Sequence, residues 1–293
     1  MAEKKWEGTT FGNGLMHRWL IGLLRVIDTR VIYVLAYIFA VTPTLFKPGF
    51  KHAYHFFHDR FGYSKPRSLW MAYKNHCLFA QAVVDKFAMY AGRHFEIELE
   101  GYDHFLKLAA QPEGFVQLSS HVGNYEQAGY MLRSDRKSFN ALVYAGESAT
   151  VMNERSKQFS DSNIHMIPVQ ADMSHLFLIN KTLDEGNIVS MPADRCFGSQ
   201  KSVGCTFFGA TAQFPLGPFA TAVQKEVPAL AVMVMKTGGR SYKAYVRPLK
   251  ADPSQPSRKQ MAALAQDFAT TLEEIVRRYP HQWYNYYEFW DGE

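Results

Sequence analysis

Cysteine is scarce in this chain of 293 residues, which contains only Cys77, Cys196 and Cys205. An odd and small number of cysteines implies no disulfide framework. No two of them form a CxxC pair, which argues against a structural zinc site. The expected environment is therefore a reducing compartment that faces the cytosol.

The common catalytic and nucleotide-binding signatures are missing as well. The sequence contains no GxSxG elbow, no GxxxxGK[ST] loop, no GxGxxG turn and no HExxH helix. Any catalytic residues must therefore belong to a pattern other than these signatures.

Charge is modest overall and unevenly distributed. The net charge is +5, and residues 1–60 hold eight Lys or Arg against four Asp or Glu, so most of the excess lies there. The rest of the chain shows no basic stripe of the kind that nucleic-acid binders carry. A basic, apolar N-terminal region instead fits an anionic membrane surface.

The N-terminal region contains apolar segments but no secretory signal. Leu15–Ile27 is apolar with two arginines, and Val31–Phe46 has no charge over 16 residues, with Pro43 expected to end or kink the helix. That helix would rise about 24 Å, less than the hydrocarbon thickness of roughly 30 Å. Three interpretations remain open: a monotopic or re-entrant anchor, a short spanning helix, and a buried core helix. We assign residues 1–50 to a membrane-associating segment and residues 51–293 to a second domain.

Three histidines, His52, His55 and His58, suggest a metal site only superficially. Their spacing spreads them around a helix, so they cannot easily face one ion. We interpret them as polar positions of an interfacial aromatic helix and predict no metal.

The body of the chain alternates predicted strands with predicted helices, which indicates an α/β fold with a mostly parallel mixed sheet flanked by helices. A loop is predicted over Gly204–Gly209. The predicted strands are His94–Leu99, Gly114–Leu118, Asn140–Tyr144, Ile164–Val169, Asn187–Met191, Val227–Val234 and Ser241–Val246. The predicted helices are Arg67–Ala91, Tyr102–Ala110, a stretch to about Leu132, Val151–Phe159, His175–Leu183, Leu216–Val223 and Arg258–Arg278.

One strand end combines a histidine with a nearby carboxylate. His121 follows the apolar strand and two serines, and Glu126 comes five residues later as a helix begins. Open α/β folds place their sites at this carboxyl edge, where a histidine can act as a general base and a carboxylate can hold its other ring nitrogen. About one such pair is expected by chance, so a capping histidine and a dipole-favoured glutamate remain an alternative.

The segment SSHVGNYE around His121 resembles the HX4D/E block of the lysophospholipid acyltransferase superfamily, most closely its bacterial lipid A late acyltransferase branch. Further blocks resemble that branch in the same order, over roughly residues 15–290. They are Arg155 in NERSK, the turn in NIVSMPADR, the segment GCTFFGATAQFPLGPFATA, the strand VPALAV and the closing segment PHQWYNYYEFW.

The resemblance implies a glycerol-phosphate acyltransferase-like fold and acyl transfer from a thioester to a hydroxyl. His121 would be the general base, and Glu126 would hold it. The acyl donor would be a thioester of acyl carrier protein or CoA, acting as a co-substrate, with no cofactor and no metal.

The resemblance also implies a set of substrate-binding residues. Arg155 and Arg195 would bind a phosphate or another anionic group of the acceptor. Asp194 would order the turn beside Arg195, and Phe208 and Gly209, after Phe207, would shape the acyl or acceptor channel. Ordinary surface ion pairs and core aromatics are the alternatives for these residues.

The acceptor implied by the resemblance is a lipid A-type precursor of lipopolysaccharide biosynthesis, acylated at the cytoplasmic face of the bacterial inner membrane. Two features differ: Asn285–Glu288 replaces the family's Trp-x-His-Arg type ending, and the body is only weakly basic. An amino-acid lipid or a pigment-type lipid head group is thus an alternative acceptor. A lipid esterase or thioesterase using the same pair, and a non-catalytic lipid-binding protein, are the rival functions.

Overall fold

A computed structural model describes residues 14–125, 132, 134–144, 163–170, 172–196 and 201–290. Its main sheet has seven strands in the order β1-β9-β8-β2-β5-β3-β4. All neighbours run parallel except β8 and β9, which are antiparallel. The main-sheet strands are β1 Glu96–Glu100, β2 Phe115–Ser119, β3 Phe139–Tyr144, β4 Ile164–Val169, β5 Ile188–Pro192, β8 Ala229–Lys236 and β9 Ser241–Leu249. The predicted α/β class with a mostly parallel mixed sheet is confirmed.

Both faces of the central strands are covered by helices, which explains their continuous apolar sequences. Every residue of β2 is buried. Successive side chains of a strand point to opposite faces, and here Val116 and Leu118 pack into one core while Phe115 packs into the other. The described helices are α1 Gly14–Val26, α2 Thr29–Ala36, α3 Pro48–His55, α4 Lys65–Tyr90, α5 Tyr102–Ala109, α6 Ser174–Asp184, α7 Leu216–Gln224 and α8 Ser257–Arg278.

The predicted loop over Gly204–Gly209 is wrong, because this region forms a β-hairpin. Strands β6, Ser202–Phe207, and β7, Ala210–Pro215, pair antiparallel as a separate two-stranded sheet. Phe208 and Gly209 make the turn with φ angles of 49° and 77°. Two successive residues with positive φ suit a tight hairpin turn, and glycine provides only the second of them. Because the first turn position is a phenylalanine, the sequence did not indicate a hairpin turn here.

The N-terminal apolar segment is helical and mostly exposed. Helix α2 continues as a π-helix and a 3₁₀-helix up to Phe46. The 18 residues Thr29–Phe46 have a mean hydropathy of 1.5 and are long and apolar enough to cross a membrane, and only 22% of them are buried. This exposure disagrees with a buried core helix. The division of the chain near residue 50 stays a prediction.

A buried polar cluster joins the N-terminal helices to the sheet. The carboxylate of Asp85 in α4 is fully buried and pairs with Lys236 at the end of β8. Tyr33 in α2 and Tyr242 in β9 both donate hydrogen bonds to Asp85. A buried pair of this kind is costly to break by removing one partner. The cluster therefore holds α2 beside the carboxyl end of β8.

Candidate active site

Two neighbouring parallel strands end side by side and bring His121 next to Asp194. The register of β2 and β5 pairs Ser119 with Pro192. Beyond that pair, the N–H of Ala193 donates to the carbonyl of Ser119 at 2.9 Å. His121 and Asp194 each lie two residues beyond their strand, at the carboxyl edge where open α/β sheets bind ligands.

The carboxylate of Asp194 holds His121 through both of its oxygens. Oδ1 lies 2.8 Å from Nδ1 of the imidazole, and Oδ2 accepts a 2.8 Å hydrogen bond from the backbone N–H of His121. The Asp194 side chain is almost fully buried, whereas that of His121 remains 15% exposed. The carboxylate assigns the proton to Nδ1, so the lone pair of the neutral imidazole is on Nε2.

The electrostatics favour a neutral imidazole beside an ionised carboxylate. Burial and the nearby guanidinium of Arg195 lower the pKa of His121, and together they outweigh the opposing effect of Asp194. Burial alone would raise the pKa of Asp194, but His121, its hydrogen bonds and Arg195 lower it overall. His121 is therefore available as a base at neutral pH.

Backbone hydrogen bonds fix the loop that carries His121. The N–H of Tyr284 donates to the carbonyl of His121 at 3.1 Å, and the N–H of Gly123 donates to the carbonyl of Gln282 at 2.8 Å. On the other side of the loop, the N–H of Asn124 donates to the carbonyl of Val234 in β8 at 2.8 Å. The closing segment of the chain and β8 together hold the histidine in place.

Gly123 provides a first prediction, because no larger residue fits its position. Its φ is +52°, and an added Cβ would lie 1.9 Å from the carbonyl oxygen of Val234. We expect Gly123→Ala to lower the free energy of unfolding by about 3 kcal/mol or more, because positive φ alone costs about 1–2 kcal/mol and the clash adds to it. Urea denaturation measures this change.

Gly92→Ala is the matched control for that prediction. Gly92 has a φ of +84° and open space around the added Cβ. It should cost only the 1–2 kcal/mol of backbone strain. Equal losses in the two variants would contradict the close packing of Gly123 against β8.

Among the predicted site residues that the structure describes, Arg195 also lies beside the pair. Its Nη2 donates to the carbonyl of Tyr284, and its guanidinium carbon lies 5.6 Å from the ring centre of Tyr287. Arg195 is half-buried and directly follows Asp194. Glu126 and Arg155 lie outside the described residues.

Phe208 and Gly209 lie at the turn of the β6–β7 hairpin. The Phe208 ring packs against those of Phe56 and Phe61, each with 5.3 Å between ring centres, and the guanidinium of Arg277 lies over it. Phe208 is 5% exposed. In the part of the chain that the structure describes, the ring contacts of Phe208 are with aromatic residues and with Arg277, and none is with His121.

The contact between Asp194 and His121 differs from the pairing predicted in the sequence analysis. Sequence analysis placed Asp194 in a substrate-binding turn and paired His121 with Glu126. Asp194 is 73 residues away, and its contact depends on β2 and β5 being adjacent. The available signal was an acidic residue just beyond a second buried strand. The supporting role of the closing segment, through Gln282 and Tyr284, was also missed.

Two of the three histidines, His55 and His58, make local contacts. His55 contacts the carboxylate of Asp59 at 2.9 Å, and Nδ1 of His58 lies 2.8 Å from the carbonyl of Tyr63. Across the described ranges, no group of three or more His, Cys, Asp or Glu side chains could hold a metal ion.

Comparison with known proteins identifies the family. Residues 82–290 match the family model described as bacterial lipid A biosynthesis acyltransferase. A search of the curated proteins found no match. Among solved structures, the chain is similar to the 1-acyl-sn-glycerophosphate acyltransferase PlsC of Thermotoga maritima, with 12% identity and a TM-score of 0.41 over 90% of this chain and 98% of that one. Because the family model spans more than half of the sequence and includes the His121 and Asp194 segments, the chain belongs to the bacterial lipid A biosynthesis acyltransferase family.

Proposed function

We propose that this acyltransferase moves a fatty acyl chain from an acyl thioester to a hydroxyl of a lipid acceptor, with His121 as the general base. The observation that carries the proposal is the 2.8 Å contact between His121 Nδ1 and the buried Asp194 carboxylate at the carboxyl edge of the sheet. This contact orients the ring and presents Nε2 as a proton acceptor.

In the proposed reaction, Nε2 of His121 takes the proton of the acceptor hydroxyl as its oxygen attacks the thioester carbonyl. The C–O bond forms, the tetrahedral intermediate collapses, and the C–S bond breaks. The departing thiolate then takes the proton from the imidazolium. The Asp194 carboxylate stabilises the imidazolium between these two proton transfers, as the carboxylate of a catalytic triad does. The two steps require no covalent acyl-enzyme.

The remaining site residues keep their proposed roles. Arg195, one residue from Asp194, would bind an anionic group of the acceptor, together with Arg155. Glu126, five residues after His121 in the sequence, would help to hold the histidine. Phe208 and Gly209 would shape the acyl or acceptor channel.

The proposed acceptor is a lipid A-type precursor, acylated at the cytoplasmic face of the inner membrane with acyl carrier protein or CoA as the donor carrier. The family and the exposed apolar segment Thr29–Phe46 support this proposal. An amino-acid lipid or a pigment-type lipid head group is the alternative acceptor.

A thioester assay with and without acceptor tests the proposed function. The purified full chain is incubated in detergent with a radiolabelled acyl thioester, either alone or with a bacterial lipid extract. We expect label to enter lipid only when the extract is present, with little free fatty acid. Release of free acid at the same rate without acceptor would favour the thioesterase instead.

The pH profile provides a second prediction. A base must be unprotonated, so kcat/KM falls as the pH decreases through the pKa of His121. That pKa lies below its usual 6.5 because of burial and Arg195, so the wild-type activity should hold down to pH 6.5. Arg195→Gln removes a positive charge and raises the pKa of His121, so its acid limb should move to higher pH. An acid limb of the kcat/KM profile that stays at the same pH in Arg195→Gln would contradict this electrostatic role of Arg195.

A further inference from the structure

A shallow groove lies next to the end of the apolar N-terminal segment. Its volume is about 630 Å³. It is formed by the end of the apolar segment, by α3 and by the start of α4. The lining residues are Leu45, Phe46, Lys47, Pro48, Phe50, Lys51, Tyr54, Lys65 and Leu69.

Three lysines surround the groove. Lys47, Lys51 and Lys65 are all exposed. Within the described ranges, no carboxylate forms an ion pair with any of them, and none of the lining residues is acidic. The nearest acidic residue in the sequence, Asp59, contacts His55 instead. The groove is therefore complementary to an anion.

The other lining side chains are apolar and continuous with the exposed apolar segment. Phe46 is 90% exposed and Leu69 is 50% exposed. Phe39 and Ile38, earlier in the same segment, are 73% and 56% exposed. Eighteen helical residues cover about 27 Å, close to the hydrocarbon thickness, so a lysine directly after Phe46 would lie at the level of the lipid head groups.

From this combination we infer that the groove binds an anionic phospholipid of the bilayer. The lysines contact the phosphate and the acyl chain lies on Phe46 and Leu69. Lysine side chains suit this position, because their apolar stems cover the floor while the ammonium groups reach the head group. The apolar floor and its continuity with Thr29–Phe46 favour a lipid over an acidic protein. The inference is independent of the acyl-transfer chemistry.

Native mass spectrometry of the full chain tests the inference without an acyl donor. The delipidated protein is given equal amounts of dioleoyl phosphatidylglycerol and dioleoyl phosphatidylcholine. We expect wild type to retain phosphatidylglycerol preferentially. The triple variant Lys47→Gln, Lys51→Gln, Lys65→Gln should lose that preference by at least tenfold, because each lysine near an anionic surface contributes about fivefold.

Two further variants distinguish the groove from general surface charge. The control triple variant makes the same charge change at three exposed lysines elsewhere, as Lys107→Gln, Lys250→Gln, Lys259→Gln. It should keep the wild-type preference. Leu69→Gln, at an exposed apolar position, should lower the retention of both lipids. Thermal unfolding by circular dichroism verifies that each variant is folded.

Several results would overturn the inference. The first is an unchanged preference for phosphatidylglycerol in the groove variant, and the second is an equal loss of that preference in the control triple variant. The third is displacement of phosphatidylglycerol by equimolar inorganic phosphate, which would indicate a site for a free anion. Loss of acyl carrier protein binding in the groove variant, with lipid preference retained, would assign the groove to an acidic protein.

Discussion

Asp194→Asn should lower kcat by about 10²- to 10⁴-fold while the chain stays folded. In the wild type, both oxygens of Asp194 accept hydrogen bonds from His121. An asparagine has one acceptor, so it either leaves the backbone N–H unpaired or turns its NH₂ group towards Nδ1. When the NH₂ group faces Nδ1, the imidazole proton lies on Nε2, so Nε2 can no longer act as a base. The same Asp-to-Asn change has this effect in catalytic triads. Single-turnover acyl transfer measures the effect.

Two comparisons make this result specific. Asp103→Asn, at an exposed carboxylate, should leave kcat unchanged. Glu126→Gln examines the carboxylate that the sequence pairs with His121. One outcome would contradict the prediction: Asp194→Asn keeps the wild-type kcat, and Glu126→Gln loses about 10²-fold or more in kcat. Glu126 would then be the functional partner of His121, and Asp194 would have only a structural role.

His121→Ala has the larger expected effect, a loss of about 10⁴-fold in kcat/KM, the upper end of the range for general base catalysis. The backbone hydrogen bonds of His121 with Asp194 and Tyr284 involve the main chain, so the loop should keep its position. The alanine leaves one oxygen of a buried carboxylate without its partner, which costs about 1–3 kcal/mol.

A second variant separates catalysis from that stability cost. His121→Asn retains an N–H donor for Asp194 but has no basic nitrogen, so it should fold better than His121→Ala and be equally inactive. His94→Ala, at an exposed histidine, is the control. Substantial acyl transfer by either His121 variant would exclude His121 as the base.

Much of the fold could be predicted from the sequence because the signals are local. Buried apolar stretches such as 115–119 and 229–236 mark central strands, and amphipathic spacing marks α8. The β6–β7 hairpin was missed because its turn begins with Phe208 at a φ of 49°. A non-glycine residue in that conformation gives no compositional signal.

Half of the candidate site could also be predicted, and the other half depends on long-range pairing. His121 is predicted from its position after a buried strand and from the resemblance of SSHVGNYE to the HX4D/E block, both of which are local information. Its contact with Asp194 requires β5 to lie directly beside β2, with Ser119 opposite Pro192. Periodicity identifies strands but does not give their order in a sheet. The closing segment around Tyr284 supports the His121 loop through backbone hydrogen bonds. Backbone groups do not depend on the side chain, so the residue types do not indicate these contacts.

Mass spectrometry of total lipids shows whether the His121–Asp194 pair transfers an acyl chain to a lipid. The cells compared carry wild type, a deletion, His121→Ala or Asp194→Asn. We predict that one lipid class lacks one acyl chain in the deletion and in both variants, and that the wild type restores it. That result would establish acyl transfer by the His121–Asp194 pair and identify the acceptor. Unchanged lipids in the variants, with a shift only in free fatty acid, would contradict transfer to a lipid hydroxyl.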